Sequence, residues 1–316
     1  MKIGFLFPGQ GAQYVGMGKD LYEKYDEAKK IYDMAEKITN EPIKQISFEG
    51  PKELLDKTKY TQLAILTQSL AILEILKKYN INSNLSAGLS LGEYTALIEN
   101  GIFSFEDGLK IVQKRGEIMQ NYTPSGNWKM AAIIGLTEKQ VEDVCNKINY
   151  FVVPANYNTI GQIVISGEEQ GVIEAGELAK QMGAKMVSIL NTAGPFHTEK
   201  LKECSIKLKK ELEHVNIISK EPKVVKNIDG KIYSKSDDIS QILSDHIMNP
   251  VKFTKVLQTM YDNGIDFFLE IGPGKTLSSF VKRMKFERPI KIMNVGTVND
   301  LEKLIKEVMQ WIKLLL

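Results

Sequence analysis

Cysteine, histidine and excess charge are all scarce in this chain of 316 residues. Its two cysteines, Cys145 and Cys204, lie far apart without the spacing of a metal site or of a disulfide framework. Lysine and arginine total 41 against 39 acidic residues, and this balance argues against a nucleic-acid-binding protein. No apolar run is long enough to span a bilayer, and the run ended by Pro8 is too short for a signal peptide. We therefore expect a cytoplasmic protein that binds neither nucleic acid nor membrane.

The pattern that organises the chain is Gly88-Leu-Ser-Leu-Gly92. A short apolar run begins at Leu85, and a helical pattern follows the second glycine, so Ser90 falls where a strand turns into a helix. This arrangement is typical of a nucleophile elbow, in which a tight glycine turn lifts the serine hydroxyl clear of the backbone. By itself the five-residue pattern fits a helix N-cap serine in a glycine turn even better. Other residues must separate the two interpretations.

Strand and helix patterns alternate along most of the chain, which is typical of an α/β domain with a mostly parallel sheet. Between Trp128 and Ile189 the order becomes β-α-β-β-α-β, the split βαβ pattern of ferredoxin-like domains. Small polar residues flank this segment, as expected where a chain crosses between domains. We predict a large domain formed by residues 1–126 and 192–316, and an inserted small domain of residues 127–191.

Three local features of the large domain are also predicted from turn and cap residues. The apolar run Val224–Ile228 before Asp229-Gly230 predicts a strand. Asn249-Pro250 predicts a helix start, with that helix ending at Gly264. Asn299 to Glu302 predicts the cap of the last helix.

A base for Ser90 must come from the three histidines of the chain. His197 follows a strand and precedes a helix, which is where an open α/β sheet places active-site loops. His214 lies late in a charged helix and is expected at the surface, and His246 is expected to cap or pack at a helix end. No carboxylate stands out to orient the imidazole, so we expect a backbone carbonyl to hold its N–H. Such a dyad suits a reactive thioester better than an amide.

Arg115 lies in a helix whose apolar positions face inward. It is either a solvated or paired surface residue, which the sequence alone favours, or a buried receptor for an anion. In the second case its guanidinium could bind a carboxylate through two parallel charged hydrogen bonds. The glycine-rich turns at Gly9 and Gly274 lack the spacing of dinucleotide or P-loop motifs, so we predict no nucleotide site.

Seven stretches, taken in order, resemble one family, the malonyl-CoA:acyl carrier protein transacylases of fatty acid and polyketide synthesis. They are Phe7-Pro-Gly-Gln-Gly-Ala-Gln13, Gly88-Leu-Ser-Leu-Gly-Glu-Tyr94, Lys114-Arg-Gly116, Ala155-Asn-Tyr-Asn158 with Gly161-Gln-Ile-Val-Ile-Ser-Gly167, Gly194-Pro-Phe-His197, Asn249-Pro-Val251 and Glu270-Ile-Gly-Pro-Gly-Lys275. The resemblance implies a large α/β hydrolase-like domain with a ferredoxin-like insertion. It covers almost the whole chain and is far more specific than any single motif.

The resemblance also implies a ping-pong reaction in which malonyl passes from coenzyme A to Ser90 and then to the phosphopantetheine thiol of acyl carrier protein. By this analogy His197 is the base, and the N–H groups of Gln10 and Leu91 form the oxyanion hole. Arg115 holds the malonyl carboxylate. No cofactor or metal is implied.

Three further positions concern the details of this resemblance. The carbonyl of His246 is expected to orient His197, although glutamine is frequent at this position in the family, and Leu89 stands where histidine is frequent. Phe196 is similar to the malonyl-type motif, in which a bulky ring excludes an α-methyl group.

Two other enzyme functions and one binding function stay open on the sequence. The chain could serve a polyketide assembly line with the same chemistry, act as a serine thioesterase or esterase, or be a carrier-docking module without activity. The basic run Lys282-Arg283-Met-Lys285 is a candidate contact for an acidic carrier, although a solvated helix end explains it at least equally well. The apolar C-terminal run 308–316 is expected to pack against the sheet, with a dimer contact as the second choice.

Overall fold

The computed structural model describes residues 1–190, 192, 194–218 and 220–315. The side chains of residues 309 and 311–316 are outside this description, so the predicted packing of the run 308–316 falls largely outside the described residues.

Eight strands and fourteen α-helices are found in the described part of the chain. The strands are β1 (Ile3–Phe7), β2 (Leu85–Gly88), β3 (Trp128–Ile134), β4 (Val152–Thr159), β5 (Gln162–Glu168), β6 (Met186–Leu190), β7 (Phe267–Ile271) and β8 (Lys291–Val295). The helices are α1 (Lys19–Lys24), α2 (Asp26–Thr39), α3 (Ile43–Phe48), α4 (Lys52–Leu55), α5 (Thr58–Lys78), α6 (Leu91–Glu99), α7 (Phe105–Asn121), α8 (Glu138–Asn146), α9 (Glu169–Gln181), α10 (Lys202–Leu212), α11 (Ile239–His246), α12 (Phe253–Asp262), α13 (Thr276–Arg283) and α14 (Val298–Leu315).

The first sheet is parallel throughout, with the strand order β2-β1-β7-β8. Its central strands β1 and β7 are buried along almost their whole length, because helices cover both faces of the sheet. Helix α5 carries buried residues on every side, and this explains why its apolar positions exceed a single stripe. Strands β1 and β2 end side by side, with Phe7 paired to Gly88, so the loops that follow them meet at the carboxyl edge of the sheet.

The second sheet is antiparallel and has the order β4-β5-β3-β6. Helices α8 and α9 pack on it and share an apolar core with it. This is the topology of the split βαβ pattern, so the predicted fold class, an α/β protein with a ferredoxin-like unit, is confirmed. The boundaries 1–126, 127–191 and 192–316 stay a prediction.

The segment between α11 and α12 makes a short backbone contact with β4 of the second sheet. The N–H of Val251 donates to the carbonyl of Ala155 at 2.9 Å, and the N–H of Tyr157 donates to the carbonyl of Val251 at 2.8 Å. The segment between α11 and α12 therefore lies against the second sheet, close to the carboxyl ends of β1 and β2.

Two local predictions were wrong, and this contact explains the first of them. Asn249-Pro250 does not begin a helix, because the segment pairs with β4 as an extended bridge and α12 begins only at Phe253. The run Val224–Ile228 forms isolated bridges to Ser86 and Ile232 instead of a continuous strand.

The predicted cap of the last helix lies two residues too late. Thr297, not Asn299, accepts the N–H of Asp300, and Asp300 in turn accepts the N–H of Thr297. In the described residues we find no helix that combines the length and apolarity needed to cross a membrane.

Candidate active site

Ser90 lies at a tight turn between β2 and α6. It adopts φ 51° and ψ −98°, a conformation that non-glycine residues rarely hold. The glycines on either side make this turn possible: a Cβ atom at Gly88 would lie 2.0 Å from the carbonyl carbon of Gly92, and one at Gly92 would lie 2.0 Å from the carbonyl oxygen of Phe7. The strained serine and the two glycines together form the geometry of a nucleophile elbow.

The hydroxyl of Ser90 does not cap the helix behind it. It lies 2.9 Å from Nε2 of His197 and accepts a hydrogen bond from Nη2 of Arg115, also at 2.9 Å. The N-cap interpretation is therefore wrong for the side chain, although Ser90 does occupy the N-cap position. A serine oxygen between an imidazole and a guanidinium is placed for chemistry and not for helix capping.

His197 is held by two backbone carbonyls. Its ring is only 5% exposed, and Nδ1 lies 3.0 Å from the carbonyl oxygen of His246 and 3.1 Å from that of Asn249. Two acceptors at Nδ1 assign the proton to that nitrogen, which leaves Nε2 as an acceptor for the Ser90 hydroxyl. Burial, with a contribution from the positive charge of Arg115, lowers the pKa of His197 to about 4. The imidazole is therefore neutral at pH 7 and able to accept a proton.

Arg115 is buried, with 2% of its surface exposed. Nη1 donates to Oε1 of Gln62 at 2.7 Å, and the guanidinium lies over the ring of Tyr94 at 5.3 Å. Among the described residues no carboxylate lies within 4.0 Å of it. Burial lowers the pKa of Arg115, yet a guanidinium stays charged near neutral pH. The structure thus contradicts the surface interpretation of Arg115 and leaves a buried cation beside the serine with no carboxylate in ion-pair contact in the described part of the chain.

The backbone supplies hydrogen-bond donors on the other side of Ser90. Leu91 is the first residue of α6, so its N–H is one of those that a helix leaves unpaired and that carry the positive end of the dipole. Gln10, in the turn after β1, lines the cavity next to Ser90. Of the two residues expected to form an oxyanion hole, Leu91 directly follows Ser90 and Gln10 lines the same cavity as Ser90.

A cavity of about 260 Å³ opens onto these groups. Ser90, Arg115 and His197 all line it, and Phe196 forms part of its wall. The remaining wall is mainly apolar and comes from the second sheet, from the loops that follow β1 and β2, and from the first turns of α13, including Met130, Val164, Leu277 and Phe280. One hydroxyl, one imidazole and one guanidinium thus converge on a single small pocket.

Sequence reasoning missed four supporting residues. Asn227 accepts the N–H of Ser90 through Oδ1 at 2.9 Å and donates from Nδ2 to the carbonyl of Gly88 at 2.7 Å. Gln62 accepts a hydrogen bond from Arg115. The carbonyl of Asn249 contacts His197, and the carboxylate of Glu93 lies close to His246. The sequence did not single out Gln62, because the same helix also carries Gln68 and Ser69 among its buried polar residues. No signal in the sequence pointed to Asn227, because the two residues that its side chain contacts, Gly88 and Ser90, lie more than 130 positions away.

The other histidines are placed differently. His214 is exposed beyond the end of α10, as expected. His246 is buried, and its Nδ1 faces Glu93 at 3.4 Å. Within the described ranges no group of three or more His, Cys, Asp or Glu side chains is arranged to hold a metal ion.

Comparison with known proteins decides the family. The family model described as "Acyl transferase domain" matches residues 4–307. The chain belongs to the acyl transferase family. The resemblance stated from the sequence is thereby confirmed, and the active-site chemistry is that of an acyltransferase.

The chain of this acyltransferase is similar to individual relatives over almost its full length. It is 40% identical, over 96% of both chains, to the malonyl CoA-acyl carrier protein transacylase of Bacillus subtilis strain 168. The crystal structure of malonyl CoA-acyl carrier protein transacylase from Clostridium perfringens ATCC 13124 superimposes with a TM-score of 0.91, at 39% identity and 99% coverage of both chains. The structure of a malonyl-transacylase in complex with its type II PKS acyl-carrier protein also superimposes with a TM-score of 0.91. The two chains are 32% identical, and the match covers 97% of this chain and 100% of the other.

Proposed function

We propose that this acyltransferase moves malonyl from malonyl-CoA to the phosphopantetheine thiol of acyl carrier protein, and that Ser90 carries the malonyl group between the two. The observation that carries the proposal is the buried guanidinium of Arg115, 2.9 Å from the Ser90 hydroxyl and without a carboxylate partner among the described residues. A buried charge is costly unless it is paired. An acyl group with a free carboxylate would supply the missing partner.

In the first half-reaction His197 acts as general base. Its neutral Nε2 takes the hydroxyl proton as Oγ of Ser90 attacks the thioester carbonyl. The N–H groups of Leu91 and Gln10 then stabilise the oxyanion, and the C–S bond breaks as the imidazolium returns its proton to the departing thiol of coenzyme A. The product is malonyl-Ser90.

The second half-reaction reverses these roles with another thiol. His197 removes the proton from the phosphopantetheine thiol, whose sulfur attacks the ester carbonyl of malonyl-Ser90. The Ser90 oxygen leaves and regains its proton from His197. The backbone carbonyls of His246 and Asn249 keep the imidazole oriented through both steps. No step requires a cofactor or a metal.

Arg115 would bind the malonyl carboxylate throughout. Two of its five N–H donors contact Gln62 and Ser90, which leaves donors for a carboxylate at the wall of the cavity. We assign Phe196, which forms part of the same wall, to the selection of malonyl over acyl groups with an α-methyl branch.

The acidic carrier would dock beside α13. The first turns of this helix line the cavity, and Lys282, Arg283 and Lys285 are exposed at its far end. Steep loss of carrier turnover with added salt, with no matching loss of reaction with malonyl-CoA, would support this patch. We place the reaction in the cytoplasm, and the two buried cysteines, which form no disulfide, support a reducing compartment.

Intact-mass measurement tests the proposal directly. Incubation with malonyl-CoA should add one malonyl group to the protein, and Ser90→Ala should abolish the adduct. Addition of phosphopantetheinylated acyl carrier protein should discharge the adduct and produce malonyl-carrier. Release of free malonate at the same rate without carrier would indicate a thioesterase instead.

A second candidate function is supply of a polyketide assembly line, which the likeness to the type II PKS complex favours. The chemistry is the same and only the carrier differs. Parallel assays with a fatty-acid carrier and with a type II PKS carrier separate the two, because the physiological partner should show the higher kcat/KM.

A further inference from the structure

Glu93 is a buried carboxylate that the mechanism above does not use. It is 1% exposed and lies in the first turn of α6, three residues after Ser90. Burial raises its pKa to about 7. A buried carboxylate is unfavourable unless it is well hydrogen-bonded, so its contacts indicate what the fold gains from it.

Three groups surround the two carboxylate oxygens of Glu93. The hydroxyl of Tyr233 donates to Oε1 at 2.7 Å. The backbone N–H of Asn227 donates to Oε2 at 3.3 Å, and Nδ1 of His246 lies 3.4 Å from the same oxygen. Glu93 therefore contacts three residues that all lie more than 130 positions from it in the sequence.

Two of these three neighbours are also the supports of the dyad. The side chain of Asn227 holds the backbone of the elbow, at the N–H of Ser90 and the carbonyl of Gly88. The carbonyl of His246 holds Nδ1 of His197. One carboxylate thus contacts both the residue that positions the nucleophile and the residue that positions the base.

We propose that Glu93 is a positioning residue that sets the distance between Ser90 and His197 by joining Asn227 to His246. Loss of its carboxylate lets the elbow and the segment that carries the His246 carbonyl shift independently. An imidazole that moves by about 1 Å relative to the attacking oxygen costs on the order of 100-fold in rate. The proposal rests on the proposed function only in taking Ser90 and His197 as the reacting pair.

The test measures the reactivity of Ser90 without using malonyl. A sulfonyl fluoride such as phenylmethanesulfonyl fluoride reacts with a base-activated serine, losing fluoride and forming an O–S bond, and intact mass follows the adduct. Labelling is measured well below the melting temperature of each variant, so the rate constant reports folded protein, and protein that has misfolded irreversibly lowers only the final extent. Ser90→Ala is the control for labelling elsewhere.

Glu93→Gln keeps the size of the side chain but gives it an amide nitrogen, which cannot accept a hydrogen bond. We expect the rate constant for labelling of Ser90 to fall about 10- to 100-fold. The matched control is Glu99→Gln, the same change at the far end of α6, where the carboxylate accepts hydrogen bonds from the hydroxyls of Ser83 and Ser86, away from the dyad. Its rate constant should stay within about twofold of the parent value.

Kinetics with malonyl-CoA separate positioning from stability. Positioning lowers kcat with little change in KM, because the carboxylate contacts no substrate atom. A merely structural role would lower the melting temperature and the extent of labelling but not the rate constant. Unchanged labelling rates in folded Glu93→Gln protein would overturn the proposal.

Two further comparisons keep the test decisive if Glu93→Gln does not fold. Tyr233→Phe removes a single donor to Glu93 and should slow labelling about 2- to 10-fold. His246→Gln keeps a polar side chain that can face Glu93, so it should slow labelling less than His246→Leu does. Parent rates in Tyr233→Phe and equal rates in the two His246 variants would likewise overturn the proposal.

The outcomes also separate this proposal from the proposed function. Slow labelling of Glu93→Gln in a protein that never accepts malonyl would support the positioning role and reject the substrate. Normal labelling of Glu93→Gln in a protein that transfers malonyl would reject the positioning role and support malonyl as the substrate.

Discussion

Replacing Arg115 tests the substrate assignment most directly. The structure offers a guanidinium with two N–H groups already in use and no carboxylate partner among the described residues. In Arg115→Ala the malonyl carboxylate would lose two charged hydrogen bonds, each worth about 1.5–3 kcal/mol. The sum of about 3–6 kcal/mol corresponds to a fall of roughly 10²- to 10⁴-fold in kcat/KM for malonyl-CoA.

The fall should be selective for the charged acyl group. Acetyl-CoA has no carboxylate to bind, so its kcat/KM should stay level or rise when the buried charge is removed. The assay is the initial rate of Ser90 acylation with each thioester, followed by intact mass for the parent and for Arg115→Ala. Arg115→Lys retains the charge but not the paired N–H donors of the guanidinium. Its kcat/KM for malonyl-CoA should lie between that of the parent and that of Arg115→Ala.

A matched control lies one residue away. Lys114 is exposed on α7 and pairs with Glu117, so Lys114→Ala removes a positive charge outside the cavity. The initial rates of Ser90 acylation in Lys114→Ala, with malonyl-CoA and with acetyl-CoA, should match those of the parent. An equal loss of malonyl and acetyl transfer in Arg115→Ala would refute the carboxylate assignment and leave Arg115 with a structural role.

Three further predictions concern the base, the elbow and the acyl pocket. kcat/KM for malonyl-CoA should stay level down to about pH 5 and fall toward pH 4, because protonation of His197, whose pKa is lowered to about 4, removes the lone pair that accepts the serine proton. Gly92→Ala should destabilise the protein by about 1–3 kcal/mol and lower its melting temperature, because the new Cβ would overlap the carbonyl of Phe7. Phe196→Val should raise methylmalonyl transfer relative to malonyl transfer about 10-fold or more, because the cavity wall loses its ring.

Each of these three has a clear contrary result. An acid limb centred near the ordinary histidine value of 6.5 would show that His197 is not the neutral base inferred here. A melting temperature of Gly92→Ala equal to that of the parent protein would contradict the steric argument. An unchanged acyl preference in Phe196→Val would remove Phe196 from substrate selection.

Much of the fold could be predicted from the sequence because its signals are local. Alternating strands and helices, the βαββαβ order and the glycines of the elbow depend on periodicity and on backbone freedom, which neighbouring residues set. One error arose where a distant contact overrode a local pattern. Asn249-Pro250 has the residues of a helix start, yet pairing of Val251 with β4 keeps the segment extended.

By itself, the sequence determined the family, through ordered motifs spread over almost the whole chain, and it identified Ser90 and His197 as the candidate pair. Only the tertiary structure decided the state of Arg115, because an arginine in an amphipathic helix is compatible with either solvent or a cavity until the packing of α5 against α7 is known. It alone also revealed Asn227 and Glu93, whose hydrogen bonds join segments more than 130 residues apart. Periodicity and propensity describe a residue and its neighbours, whereas these side chains acquire their roles from parts of the chain that meet only on folding.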